Sequence, residues 1–221
     1  MALPTVKVIL AVTSHIAFEP LNDSDLLSHA ISSAHTFAVE NGMNTHLAIA
    51  APAVLMGRVQ TIANQSKVPI EFISVNPLES AAFAAALATS QPCDIVGVHD
   101  VQRPLTRAAQ YHRALAGLVS ESGAVRPTTA FTETLKIVGE ESELTRTVDR
   151  SSMRRLSTPE MYHRSAIDFE TSTGSHSWFL PLKEGVTTTE VDADPESLRA
   201  NNESEVELLE ALLHWQQRVV R

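Results

Sequence analysis

Short apolar runs rich in β-branched residues alternate with helix-patterned segments as far as Ser122, and few folds accommodate that alternation. Val6 to Val12 (Val-Lys-Val-Ile-Leu-Ala-Val) reads as a buried strand because it is short, apolar and β-branched. Asp23 or Ser24 is placed to cap a helix running to Glu40, which Asn41-Gly42 ends. Thr45 to Ala50 reads as a second strand, and Pro52 stands near the start of a helix carrying Val54, Leu55, Val59 and Ile62. Ile70 to Val75 is a third predicted strand, and Leu78 to Ala88 an alanine-rich helix of high propensity. Asp94 to Val98 is a fourth strand, and Leu105 to Ser122 covers a further helix. Strand and helix repeated in this way predict an α/β fold, a mostly parallel sheet with flanking crossover helices.

After Gly123 the pattern changes. Arg126 to Phe131 reads as a fifth strand. Thr132 to Arg150 is polar and alternating around Gly139-Glu140-Glu141-Ser142, which predicts a projecting β-hairpin arm with little core of its own. Such an arm needs a partner to pack against. Glu160 to Asp168, following Pro159, predicts a short helix, and Ser177 to Leu182 and Thr188 to Val191 predict short strands. Asn201 or Asn202 caps a final amphipathic helix with Val206, Leu209, Leu212 and Leu213 on one face. No repeat or long linker divides the chain, so residues 1–221 are expected to form one domain with the arm at 132–150 inside it.

Composition narrows the function classes. The net charge of −9 argues against general nucleic-acid binding, which needs a basic footprint. No apolar run approaches the roughly 18 residues of a membrane span, and Met1-Ala2-Leu3-Pro4 runs directly into strand-like sequence with no secretory signal pattern. Cys93 is the only cysteine, so no internal disulfide forms; a reducing cytoplasm fits. Charge is unevenly spread. No Lys or Arg lies between Lys7 and Arg58, whereas Arg103, Arg107, Arg113, Arg126, Lys136, Arg146, Arg150, Arg154, Arg155 and Arg164 crowd the second half. An acidic protein that binds an anion does so at a local concentration of cations, and these residues supply it. Taken singly, each reads first as a solvated helix or hairpin residue.

The stretch Val96-Gly97-Val98-His99-Asp100-Val101-Gln102-Arg103-Pro104 carries the chemistry. An apolar strand stops at a His-Asp pair, and ligands of open α/β sheets sit outside the carboxyl ends of strands. A carboxylate there can hold a divalent metal against a phosphate; the plainer reading of Asp100 is a helix-capping carboxylate. Other apparent motifs weigh little. Asp192-Ala193-Asp194, beside Pro195 and Glu196, reads as a solvated turn, the nine histidines lack zinc-ligand spacing, and Cys93 reads as a small buried hydrophobe.

The same stretch resembles the His-Asp-x-x-Arg-Pro signature of the 2-C-methyl-D-erythritol 4-phosphate cytidylyltransferases. Three further segments match that family in order. Val148-Asp149-Arg150-Ser151 resembles its Val-Asp-Arg segment near the end of a projecting arm. Leu156-Ser157-Thr158-Pro159-Glu160 resembles its Thr-Pro-Gln segment, with Glu160 in place of glutamine. Leu198-Arg199-Ala200-Asn201-Asn202 and the helix after it resemble its closing segment, with Arg199 where the family has lysine. The resemblance implies a nucleotidyltransferase fold, a homodimer with exchanged arms, and transfer of a cytidylyl group from CTP to methylerythritol phosphate in isoprenoid precursor synthesis. It implies that Asp100 holds magnesium. It implies that Arg150, across the dimer, and Thr158 contact the sugar-alcohol phosphate, with Arg199 at the closing lysine position beside them. Arg103 and His99 are expected to be structural, the first fixing its loop and the second packed and hydrogen-bonded.

Two departures qualify the activity. The family opens with a strand, a turn of the form Ala-Ala-Gly-x-Gly-x-Arg and a lysine, whose backbone N–H groups and cations cradle the triphosphate. Here Leu10-Ala11-Val12-Thr13-Ser14-His15-Ile16-Ala17-Phe18-Glu19-Pro20-Leu21 contains no Gly, Lys or Arg. The family's serine before the alanine-rich helix, which helps hold cytidine, aligns with Ala82. The expectation is a catalytically degenerate member with weak or absent CTP binding and a remaining pocket for a phosphorylated small molecule. An active transferase and a structural or regulatory partner subunit are the alternatives.

Overall fold

The computed structural model describes residues 3–118, 122–139, 142–173 and 178–219. Strand β1 (Thr5–Ala11) is followed by α1 (Leu26–Glu40), β4 (Asn44–Ala51), α2 (Ala53–Ala63), β5 (Ile70–Ser74), α3 (Ser80–Ala88), β6 (Ile95–Asp100) and α4 (Ala108–Gly117). Two short strands, β2 (Pro20–Leu21) and β3 (Ser24–Asp25), pair ahead of α1. Strands β1, β4, β5 and β6 run parallel, with β1 between β4 and β6. The predicted α/β alternation is therefore present.

The second half completes the sheet from the other side. It supplies β7 (Ala124–Ala130), β10 (Arg154–Leu156), β11 (Glu160–His163) and β12 (Thr188–Asp192), then α5 (Glu203–Val219). The large sheet runs β10-β7-β11-β6-β1-β4-β5, with β12 along the free side of β7. Strand β11 is antiparallel to both β6 and β7. The arm is β8 (Lys136–Val138) paired with β9 (Leu144–Thr147), antiparallel and exposed throughout, as its polar alternation predicts.

Some boundaries differ from the sequence reading, each for a physical reason. The cap of α1 is Asp25, whose carboxylate accepts from the Ser28 N–H at 2.8 Å; Asp23 and Ser24 lie ahead of it. His99 and Asp100 are the last two residues of β6 and not the first after it. Glu160 to Asp168 is not a helix. Glu160–His163 is strand β11, locked between β6 and β7, and a short 3-10 turn follows at Arg164–Ala166. Of the predicted strand at Ser177 to Leu182, Ser177 lies outside the described residues, and the remainder makes only a single bridge, between Leu182 and Ile167. At the last helix Asn202 is the cap, accepting from the Glu205 N–H at 3.0 Å.

Two apolar layers sandwich the sheet. One joins Val6, Val8 and Leu10 of β1 to α1, α2, α4 and α5. The other joins Ile9 and Ala11 to α3 and to Ile167 and Leu180. Gly97 lets β6 and β11 approach closely: a Cβ there would stand 2.9 Å from the Met161 sulfur on β11, which would have to move. The ends of β1 and β6 thus meet side by side, Ala11 opposite Asp100, and the start of β11 lies next to them.

Candidate active site at the carboxyl ends of β1 and β6

The turn after β1 is folded inward. Val12 bonds through its N–H to Ala50 at 2.9 Å, and Ser14 caps a 3-10 turn over His15–Phe18. Ile16, Ala17 and Phe18 are buried in the first core layer. Arg58 of α2 lies over the Phe18 ring at 4.6 Å and donates to the Phe18 carbonyl at 3.3 Å. The bulky apolar residues Ile16 and Phe18 draw the second half of this turn into the core, while His15 stays exposed.

The turn after β6 keeps the motif residues, and each is engaged by the chain itself. Asp100 Oδ2 accepts from Arg199 Nε at 2.6 Å, and Oδ1 accepts from the Gln102 N–H at 3.0 Å. Arg199 also donates to Gln102 Oε1 at 3.0 Å, to Thr13 Oγ1 at 3.2 Å and to Asn201 Oδ1. Gln102 Oε1 further accepts from Thr13 Oγ1 at 2.6 Å and Ser14 Oγ at 3.0 Å, while its amide donates to the Ala200 carbonyl at 2.5 Å. The two turns and the 199–201 segment are thereby one network.

Thr158 sits in the break between β10 and β11. Its hydroxyl oxygen accepts from the Asp100 N–H at 3.1 Å and lies 3.0 Å from His99 Nδ1. His99 is fully buried against Tyr111, ring centroids 5.3 Å apart. Burial pushes its pKa down to about 4 despite the neighbouring Asp100, so the imidazole is neutral near pH 7. It is packed against Tyr111 and hydrogen-bonded through Nδ1, while Nε2 is buried without a partner among the described residues. Arg103 donates to the Ser197 carbonyl at 2.7 Å and the Leu156 carbonyl at 2.8 Å. Burial lowers the pKa of its guanidinium.

Arg150 stands apart from this cluster within the chain. It lies at the base of the arm, exposed, and donates to the Thr132 carbonyl at 2.5 Å, tying the two ends of the arm together. Thr158, Asp100 and Arg199 are therefore brought together, and Arg150 is not.

Sequence reasoning missed the polar core behind the site. Gln110 donates to the Thr158 carbonyl at 2.6 Å, and its oxygen accepts from the Asp194 N–H. Ser157 and Ser197 hydroxyls lie 2.7 Å apart, and Thr106 reaches Ser197 at 2.6 Å. Asp194, expected in a solvated turn, is buried and paired with Arg113 at 2.5 Å; the Asp192-Ala193-Asp194 segment pins β12. Glu160 is likewise buried. It accepts from Arg126, Tyr162 and the Phe179 N–H, and burial raises its pKa. Arg126 stacks on Trp178 at 3.7 Å. Lone polar residues in apolar surroundings signal such networks only weakly in a sequence.

Residues 12–183 match the model of the family described as 2-C-methyl-D-erythritol 4-phosphate cytidylyltransferase. The chain belongs to that family. A relative from Nitrobacter winogradskyi named bifunctional enzyme IspD/IspF is 38% identical over 78 residues, covering 35% of this chain and 19% of the relative. A Saccharopolyspora erythraea protein named 2-C-methyl-D-erythritol 4-phosphate cytidylyltransferase is 26% identical over 148 residues, covering 65% of this chain and 64% of its own. The chain thus spans about a fifth of the bifunctional relative. Among solved structures, the 4-diphosphocytidyl-2C-methyl-D-erythritol synthase of Anaerococcus prevotii superposes with a TM-score of 0.75 at 13% identity, covering 96% of each chain. The cytidylyltransferase of Thermus thermophilus gives 0.66 at 18% identity, over 94% of this chain and 98% of that one. These likenesses establish the nucleotidyltransferase fold with its mostly parallel sheet.

Magnesium, which the cytidylyltransferase resemblance implies at Asp100, fits poorly. One carboxylate with substrate phosphates suffices for magnesium, so the lack of a group of three His, Cys, Asp or Glu among the described residues does not decide this. Asp100 alone would serve, and Arg199 already holds its Oδ2. No described helix is long and apolar enough to cross a membrane.

Proposed function

We propose that this protein is a catalytically degenerate member of the cytidylyltransferase family, closed on its nucleotide side and still receiving a phosphorylated small molecule. One observation carries the reading: Ile16, Ala17 and Phe18 of the turn after β1 are packed into the core, and the turn itself contains neither glycine, lysine nor arginine. Preorganised donors stabilise the charge that develops as pyrophosphate leaves, and removing one typically costs 10²–10³ in rate. Losing the loop, its arginine and its lysine removes on the order of 10⁵, although such losses do not add simply. The phosphorylated ligand is assigned to the basic second half. There Arg155 donates to the neutral Thr129 Oγ1 at 3.1 Å, and Arg150 is exposed on the arm. The exposed two-stranded arm, too thin for stability alone, supports a homodimer in which it crosses to the partner.

A second reading, an active cytidylyltransferase transferring CMP from CTP to methylerythritol phosphate, is favoured by the convergence of Asp100, Thr158 and Arg199 at one strand end. Calorimetric titration with CTP and magnesium, run beside an assay of pyrophosphate release with methylerythritol phosphate, separates the two. The degenerate protein gives no micromolar CTP affinity and no release above background. Tight magnesium-dependent CTP binding with release at ordinary enzyme rates sinks it and establishes the second reading.

A further inference from the structure

We propose that the Arg199 guanidinium is a built-in cation that takes the divalent-metal position at Asp100, so that this site is neutralised by the chain itself and excludes the metal. This goes beyond the proposed function, because it concerns the cation at Asp100 and not the nucleotide loop.

The argument begins with the carboxylate. Asp100 is only 4% exposed, and both of its oxygens have partners, Arg199 Nε at 2.6 Å and the Gln102 N–H at 3.0 Å. Magnesium binds carboxylate oxygen at about 2.0–2.1 Å and keeps several of its waters. A hydrated ion needs an open side, and the side chain that touches Asp100 and still reaches solvent is Arg199, 31% exposed. Placing a divalent ion on Oδ2 means setting it against a guanidinium nitrogen that already contacts the same atom. Arg103 adds a second positive charge within electrostatic range of both Asp100 and Arg199. A further divalent ion is repelled by both.

The guanidinium is also held in place. Of its five N–H donors, four are directed at Asp100, Asn201, Thr13 and Gln102. A lysine ammonium is a compact point charge with three donors and cannot reproduce that planar fork. This accounts for arginine at a position where the resemblance expects lysine: Gln102, Thr13 and Asn201 form a cradle for a guanidinium. The cradle and the inward-folded turn share Thr13, so the residues that close the loop also hold the internal cation.

Mn2+ titration of the full-length protein, followed by electron paramagnetic resonance, tests this without nucleotide or turnover. The wild-type protein and Asp100→Asn are expected to bind Mn2+ equally weakly. Arg199→Met is expected to gain at least tenfold in Mn2+ affinity, and the gain vanishes in the Asp100→Asn/Arg199→Met double variant. Arg199→Lys keeps the charge but not the fork, and should bind Mn2+ with an affinity between those of wild type and Arg199→Met. Tight Mn2+ binding by the wild type that Asp100→Asn abolishes overturns the proposal, as does an Arg199→Met protein, folded by circular dichroism, with no gain. If Arg199→Met does not fold, the comparison of wild type with Asp100→Asn still decides. CTP affinity is measured separately: tight CTP binding defeats the closed-loop reading and leaves this proposal standing unless Mn2+ alone also finds Asp100.

Discussion

The turns after β1 and β6 lie side by side at the same end of the sheet, and they differ in kind. The first contains no glycine, lysine or arginine, and its Ile16 and Phe18 serve the core. The second retains Asp100 and Arg103 of its motif, yet both are bonded to their own chain. Keeping a residue is not the same as keeping a free functional group. Here Arg199 and the Gln102 N–H occupy Asp100, the Ser197 and Leu156 carbonyls occupy Arg103, and Thr158 occupies His99 Nδ1, while Arg103 Nε and His99 Nε2 are buried without a hydrogen-bond partner among the described residues.

The sharpest way to break this contrast is to remove core packing from the first turn. Phe18→Ala is expected to lower stability by about 3–5 kcal/mol in chemical denaturation. A loss below ~1 kcal/mol would mean that the turn is a surface loop, as in a ligand-binding site. The second turn has a pH signature. His99 has a folded pKa of about 4 against 6.5 when unfolded. The unfolded chain therefore binds the proton first, and stability falls as pH drops from about 6.5 toward 4, by about 3 kcal/mol in total. In His99→Asn that part of the pH dependence of unfolding should disappear; an unchanged profile would show that His99 is not buried neutral. Asp100→Asn keeps an acceptor for Gln102 and removes the charge facing Arg199, and should cost about 1–2 kcal/mol. A clear gain in stability instead would mark Asp100 as a strained functional carboxylate and restore the enzyme reading. The smallest effect belongs to Arg150→Ala, within about 0.5 kcal/mol on unfolding of the monomer, since the side chain is exposed and bonds one arm carbonyl. Its effect should appear in dimer mass by light scattering or in phosphate-ester affinity, and a large monomer destabilisation would place it in the folded core.

The first half of the fold was legible because its strands are short and apolar and its helices carry caps. Even there Asp25, two residues past the first candidate, proved to be the cap, since three acidic or hydroxyl residues compete in Asn22-Asp23-Ser24-Asp25. The segment after Pro159 misled because Glu160, Met161 and Tyr162 are all buried: a strand enclosed on both faces shows no alternation to distinguish it from a helix. The motif around Asp100 was readable as a motif, but its electrostatic state was not. That state depends on Arg199 and Ala200, almost a hundred residues away, and on Gln102, which carries no chemical signature of its own. Gln110 illustrates the same limit. Its partners Thr158 and Asp194 lie far along the chain, and nothing near it in sequence marks it as buried.

Gln102 has a bearing on ancestry as well as on shape. Its one oxygen serves Thr13, Ser14 and Arg199 together, and its nitrogen serves Ala200. Replacing the first turn alone by a glycine-rich one withdraws two donors from that oxygen; replacing Gln102 alone strands groups on two segments, the first turn and residues 199–200. Reversion toward an open loop is therefore epistatic: each step is disfavoured until the others are made, and the order of substitution decides whether the intermediates fold. The closed form is a state that single mutations leave only with difficulty.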